Sequence, residues 1–371
     1  MSKFLQFLIL IVFTLSVGTV VAQKTWVGAN NGTWNTGSNW SPSGAPGAGD
    51  NVVISSSHNI NINTSATINR LTITGNVAVT FTSSGAGRTI TIDDTGSSID
   101  AGSSLELRGS TGTGTRSMIL AFTGSNETMN IAGTLTATAV GDGSSYVATN
   151  SLTTVNGTLI SSGGTITSTA ANLTISATGT YQHARNGAAI PTATWNASST
   201  CLVSGITNTI PSAGLGQSFG NFTWNCTGQT AAINNLAGAS GGLTTINGNF
   251  TISSTNGQTL NWNNTGTART ISVGGNFTNS GGVIDWASST STTTMNVAGN
   301  ITVSGSATLD TSTATTTVVN GTFVLTGTSP QTVNFSTPSN VTYTNFTINN
   351  NRTLVLGSNI ILNRNNNGPW R

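Results

Sequence analysis

Through most of the chain apolar and small polar residues alternate singly, as in Phe250-Thr251-Ile252 and Ile301-Thr302-Val303. A period of two, carried by Thr, Val and Ile, predicts short half-buried strands, whereas a helix needs apolar residues at i, i+3, i+4 and i+7. Between the strands a short unit recurs: MNIAGTL at 129–135, then TVNGTL, TINGNF, SVGGNF, NVAGNI and VVNGTF. Its glycines are Gly133, Gly157, Gly248, Gly275, Gly299 and Gly321, at gaps of 24, 91, 27, 24 and 22 residues. The long gap equals four ordinary ones and covers weaker copies. Self-similarity at this period marks a solenoid. A coil of this length holds two or three strands with bends between them, where glycine is expected for its positive φ. Coils stacked at about 4.8 Å form parallel sheets along an axis. The expected fold is therefore all-β, a right-handed parallel β-helix. Residues 52 to 362 have room for roughly 13 coils, a rod on the order of 60 Å long.

Two stretches depart from the alternation. Lys3 precedes an apolar run, Phe4 to Val17, and Val20-Val21-Ala22 before Gln23 fits a small-residue cleavage site, so residues 1–22 read as a signal peptide. After this leader no apolar stretch approaches the roughly 20 residues of a membrane span. Residues 23–51 carry Trp26, Trp34 and Trp40, which suit an N-terminal cap over the open core of the first coil. Residues 52–371 form the repeat domain.

Composition narrows the chemistry. Only 5% of the 371 residues are charged, with 11 Lys and Arg against 9 Asp and Glu, and Gly numbers 45. Scattered basic residues make no cluster able to neutralise phosphates, which argues against nucleic acid as a partner. No glycine motif opens a helix to hold a cofactor's phosphates. Among the acids, Asp285 and Asp310 lie 10 or 11 residues beyond their repeat glycines. Stacked on adjacent coils they could share a proton or a Ca²⁺ ion, with Asn261 continuing the column, or be solvated outward residues beside inward Leu260, Ile284 and Leu309. Asp93 and Asp94, with Asp100 and Glu106 nearby, read as bend residues. Cys201 and Cys226, 25 apart, are either a disulfide between neighbouring coils or two buried small hydrophobes. Trp262 and Trp286, 24 apart, share the parity of Leu260 and Ile284, which favours a core ladder over a sugar-stacking platform. Asn249, Asn276 and Asn300 directly follow repeat glycines and suggest an internal asparagine ladder. The irregular stretch from Tyr181 to Gly220 is where projecting loops would place specificity.

The segment W-x-G, G-x-W, NW, Pro and Asp before a strand (Trp26 to Ile54) resembles the start of β-helical passenger regions of bacterial autotransporters. With SFGNFTW (218–224) and TYTNFTI (342–348), it is also similar to large secreted repeat proteins of Bacteroidetes. The resemblance implies a secreted or cell-surface rod outside the outer membrane, often adhesive, with surface polysaccharide or host matrix as partner; it transfers no catalytic residue. It also implies a C-terminal barrel or sorting domain. None is visible before Arg371, so the chain reads as part of a longer protein. Two further readings stand beside the adhesin: a carbohydrate-active β-helix, which needs clustered acids or bases, and an ice-binding solenoid. The second is suggested by Thr72-Ile73-Thr74, Thr89-Ile90-Thr91 and Thr165-Ile166-Thr167, although these pairs do not keep the coil period.

Overall fold

The computed structural model describes residues 21–112, 115–124, 126–141, 143–238, 241–286, 292–310, 321–335, 344–348 and 354–356. All but two of the leader residues lie outside that set. The fold is an all-β parallel solenoid of about twelve turns, close to the coil count expected.

Most turns pass through three faces. The first face is a nine-stranded sheet from Gln23–Trp26 to Thr194–Trp195, followed by a six-stranded sheet from Ser218–Phe219 to Thr344–Ile348. The second is a single thirteen-stranded sheet from His58–Ile62 to Leu354–Leu356. The third holds five strands, Ala66–Ile68 to Thr165–Thr167, and after an interruption three more, Thr259–Asn261 to Thr308–Asp310. Alternation explains the core: inward Phe222, Phe250 and Phe277 pair in register on successive coils, with ring centroids 5.8 and 5.5 Å apart. Trp262 and Trp286 are fully buried, 4.8 Å apart and edge to face, which is the core ladder that parity predicted. Trp224 is inward too, and half-buried Trp195 packs against the core.

Trp26, Trp34 and Trp40 form an aromatic cluster at one end of this core. Strand Gln23–Trp26 continues the first face in parallel with Asn51–Ile54, and Trp40–Ser41 pairs with it antiparallel. The Trp40 indole N–H donates to the Trp34 carbonyl at 2.7 Å, and Trp34 stands edge-on to Phe81. These rings cover the end of the core where no further coil lies among the described residues.

The register shows what fills the 91-residue gap. Thr158 pairs with Thr180, Thr180 with Thr200, Thr200 with Asn221, and Phe222 with Phe250. The corner before the second face therefore passes through Gly157, Gly179, Ser199, Gly220 and Gly248, four coils as the spacing required. These glycines are not there for positive φ, contrary to expectation. They are there for room: a Cβ on Gly133 would collide with the Ser103 carbonyl, and one on Gly157 with the Gly133 carbonyl. On Gly275 it would stand 2.5 Å from Asn249 Oδ1 and 2.8 Å from the Gly248 carbonyl. Gly321 is a correction. It begins strand Gly321–Leu325 of the first face, where its missing side chain leaves space for the Trp286 indole. That coil has a longer bend: by the register of the second face Gln331 takes the corner position, and Gly327 stands earlier in the bend, where a Cβ would meet the Ala298 carbonyl.

Crowding at this corner makes a direct prediction. Gly275→Ala should cost about 1–3 kcal/mol, the range for inserting a methyl group into filled space. Gly228→Ala, with nothing within 4 Å of the added carbon, should stay within about 0.5 kcal/mol of the parent. Urea unfolding of the two variants checks this; equal stabilities would remove the steric explanation.

Candidate functional site

The outward side of the thirteen-stranded face carries the most regular polar surface. At the first outward position Thr134, Thr158, Thr180 and Thr200 stand in register on successive coils and are continued by Asn221. Asn249, Asn276, Asn300 and Thr332 extend the column by the pairing of the residues that follow them. Two residues along, Thr223, Thr251, Thr278 and Thr302 form a second column beside the asparagines. Spacing is about 4.8 Å along the axis and about 6.6 Å across it.

The asparagine ladder exists, but on the surface rather than inside. Asn249, Asn276 and Asn300 are exposed. Each Oδ1 accepts the backbone N–H of the next coil instead of pairing amide to amide. The Asn221 oxygen takes Asn249 N–H at 2.9 Å, Asn249 takes Asn276 at 2.8 Å, Asn276 takes Asn300 at 2.7 Å, and Asn300 takes Thr332 at 2.8 Å. The corner N–H points along the axis with no strand partner, and the asparagine satisfies it. Each ladder residue is thereby held in one rotamer, and the Asn221 NH₂ also donates to the Ser198 and Ser199 carbonyls at 3.0 and 3.2 Å. The Thr-x-Thr pairs behave differently: central Ile73, Ile90 and Ile166 are core residues, and the pairs are spread over two faces.

Asp285 does stack in register between Asn261 and Asp310, beside buried Leu260, Ile284 and Leu309. Asn261 is itself buried and donates to Asp285 Oδ2 at 3.1 Å. The Asp310 side chain lies outside the described residues. No group of three or more His, Cys, Asp or Glu able to hold a metal occurs among the described residues.

The cysteines are free and buried, so the disulfide is not formed. The register gives the reason: Cys201 stacks on Tyr181 and under Phe222, whereas Cys226 lies four residues further along the coil. Its thiol instead approaches the Val203 carbonyl at 3.5 Å. Burial raises both thiols, Cys226 to about 12, so neither is a thiolate at neutral pH.

The irregular middle does not project as expected. Ile190, Ile206 and Leu215 anchor its segments in the core, and Asn186 Oδ1 accepts the N–H groups of Thr207, Asn208 and Thr209. His183 takes an inward position between Ser161 and Val203. Its Nε2 faces the Gly187 carbonyl at 2.7 Å, which only accepts, so Nε2 carries the proton and Nδ1 accepts from Tyr181 Oη at 3.0 Å. Burial first, then the Arg185 charge, depress the imidazole below its ordinary value, against the pull of the Gly187 carbonyl.

Sequence reading missed a shallow groove of about 510 Å³ on the first face, lined by Ser98, Thr128, Asn130, Leu152, Thr154 and Asn156 among others. Leu152 is half exposed there. An outward leucine in a Thr-rich strand was the available signal. No helix among the described residues is long and apolar enough to cross a membrane. Comparison with protein-family models, curated proteins and solved structures found no match.

The neutral His183 makes stability depend on pH. A base with a depressed folded pKa contributes stability that is present above the unfolded value of about 6.5 and is lost as pH falls. The melting temperature should therefore drop between about pH 7 and pH 5, above the range where ordinary carboxylates titrate. His183→Gln should melt lower at pH 7 and show a flatter profile over that interval. An unchanged slope would mean that His183 is not the group responsible.

Proposed function

We propose that this protein is a secreted or cell-surface rod with an adhesin-like role, and that the outward side of its thirteen-stranded face is the contact surface. The observation that carries the reading is the pair of aligned Asn and Thr columns over successive coils, with the asparagines locked by hydrogen bonds to the backbone. Preorganised donors and acceptors lose little entropy on binding. Their repeat suits a partner that also repeats, and a polysaccharide presenting hydroxyl groups along its length fits. The resemblance of residues 26–54 to autotransporter and secreted Bacteroidetes proteins supports the extracellular placement. The same uncharged columns favour a second reading, ice binding, since the Asn-x-Thr units keep the coil period that the Thr-x-Thr pairs do not.

A glycan and matrix array with the full chain, and a heat-unfolded sample as control, tests the proposal. The folded rod should bind a repeating glycan, and the double variant Thr251→Lys/Thr302→Lys, with its charges two coils apart, should weaken it by about tenfold or more, equivalent to about 1.4 kcal/mol, without lowering the melting temperature by more than a few degrees. Binding that survives the double variant would move the contact away from this face. Absence of glycan binding together with a depressed freezing point would favour ice.

A further inference from the structure

We propose that Glu127, Asp93 and Thr123 form a binding site for a hard divalent cation, of which Ca²⁺ fits best, at the corner where the third face returns to the first. Strand Arg88–Ile92 pairs with Met118–Phe122 so that Ile92 lies opposite Phe122, which places Asp93 and Thr123 side by side on adjacent coils. Four residues later Glu127 opens strand Glu127–Ile131 on the parity of inward Met129 and Ile131. It is a carboxylate at a core position, 7% exposed.

Its two oxygens have different surroundings. Oε1 accepts the Gly124 N–H at 2.7 Å and lies 3.3 Å from Thr123 Oγ1. Oε2 is buried and has no hydrogen-bond partner among the described residues. Thr123 Oγ1 also contacts Asp93 Oδ1. One hydroxyl hydrogen can serve only one of the two carboxylates, so at least one oxygen pair faces across without a proton between. The nearby guanidinium is already engaged: Arg70 pairs with Asp94 at 3.3 Å.

A proton on Glu127 does not resolve this arrangement. On Oε1 it could be donated to Thr123 Oγ1 but would leave Oε2 without a partner, and on Oε2 it would be a buried donor without an acceptor. A cation at Oε2 would satisfy that oxygen and offset the buried charge, with Asp93 and Thr123, which reach Glu127 through the Thr123 hydroxyl, supplying further oxygens. Because the donors are all oxygen, the set selects a hard ion rather than zinc. Ca²⁺ accepts six to eight oxygens in flexible geometry, so water and nearby carbonyls complete its shell, whereas Mg²⁺ demands a tighter octahedron. Asp93 and Thr123 are exposed above the buried Glu127, which gives the ion a path from solvent. Ligands from two successive coils would make the ion a clamp between them.

Calorimetric titration of the chelator-treated full chain with Ca²⁺, paired with melting curves, tests the site. One ion should bind per chain, and the melting temperature should rise with free Ca²⁺ as mass action requires. Glu127→Gln and Asp93→Asn should each weaken binding by about tenfold or more, while Asp285→Asn, at the other acidic column, should bind as the parent does. Should Glu127→Gln fail to fold, the exposed Asp93→Asn carries the same test. No binding at millimolar Ca²⁺, retention of parental affinity in Glu127→Gln or Asp93→Asn, or loss in Asp285→Asn would each overturn the assignment.

Discussion

Every coil of this molecule must lie about 4.8 Å above the one beneath it, and the corner before the second face is where that spacing is hardest to meet. The strands meet it with ladder hydrogen bonds, and the bend carries the ladder on with bonds such as Gly275 N–H to the Gly248 carbonyl at 2.8 Å, its backbone lying so close to the bend below that a methyl group no longer fits. Gly133, Gly157, Gly179, Gly220, Gly248, Gly275 and Gly299 follow from this close approach. The remaining corner N–H groups need acceptors. In the second half of the rod the asparagines supply them, and Asn249 Oδ1 lies just where a Cβ on Gly275 would intrude. The glycine and the asparagine are thus one device: the bare backbone admits the amide, and the amide ties the coils.

Much of the fold could be read from the sequence for this reason. A crowding constraint that repeats once per coil writes itself into the chain at a regular period, and the four hidden coils between Gly157 and Gly248 were legible as a multiple of it. What misled was local likeness. VVNGTF copies the corner motif, yet Gly321 lies within a strand, because the bulk of Trp286 imposes glycine there as surely as a bend does. The supposed role of positive φ was similarly wrong in cause though right in residue. A glycine in a sequence says that a side chain is unwelcome without saying whether torsion or contact forbids it.

The polar residues were less legible. Parity correctly placed Trp262 and Trp286 inside, since a strand's alternation is a geometric fact. The same parity was available for Glu127, two residues before Met129 and four before Ile131, but a charged residue invites the assumption that it faces water. Depth at the corners also escaped prediction. The ladder asparagines proved exposed, and their partners are main-chain groups that no sequence pattern displays. The segments from Tyr181 to Gly220 looked like surface loops because they lack the period. Their Ile190, Ile206 and Leu215 point inward all the same, since an interrupted first and third face leaves core volume that only these segments can fill.

Stacking in register also accounts for the scarcity of charge, without appeal to function. A charged residue at a repeated position faces its copy at about 4.8 Å, a repulsion of about 1 kcal/mol per pair in water and about 3–4 kcal/mol at an effective dielectric constant of 20. A column of ten such residues would oppose the very contact that holds the coils together. Neutral Thr and Asn stack without penalty and donate to one another, so selection for the stack alone favours them. Charges survive where the column breaks or a partner intervenes. Asp94 has Arg70, and Glu106 stands alone in its column with Thr80 and Thr138 hydroxyls donating to it. Low charge is therefore a property of the architecture, and the departures from it, more than the repeats, are where chemistry specific to this chain has to be sought.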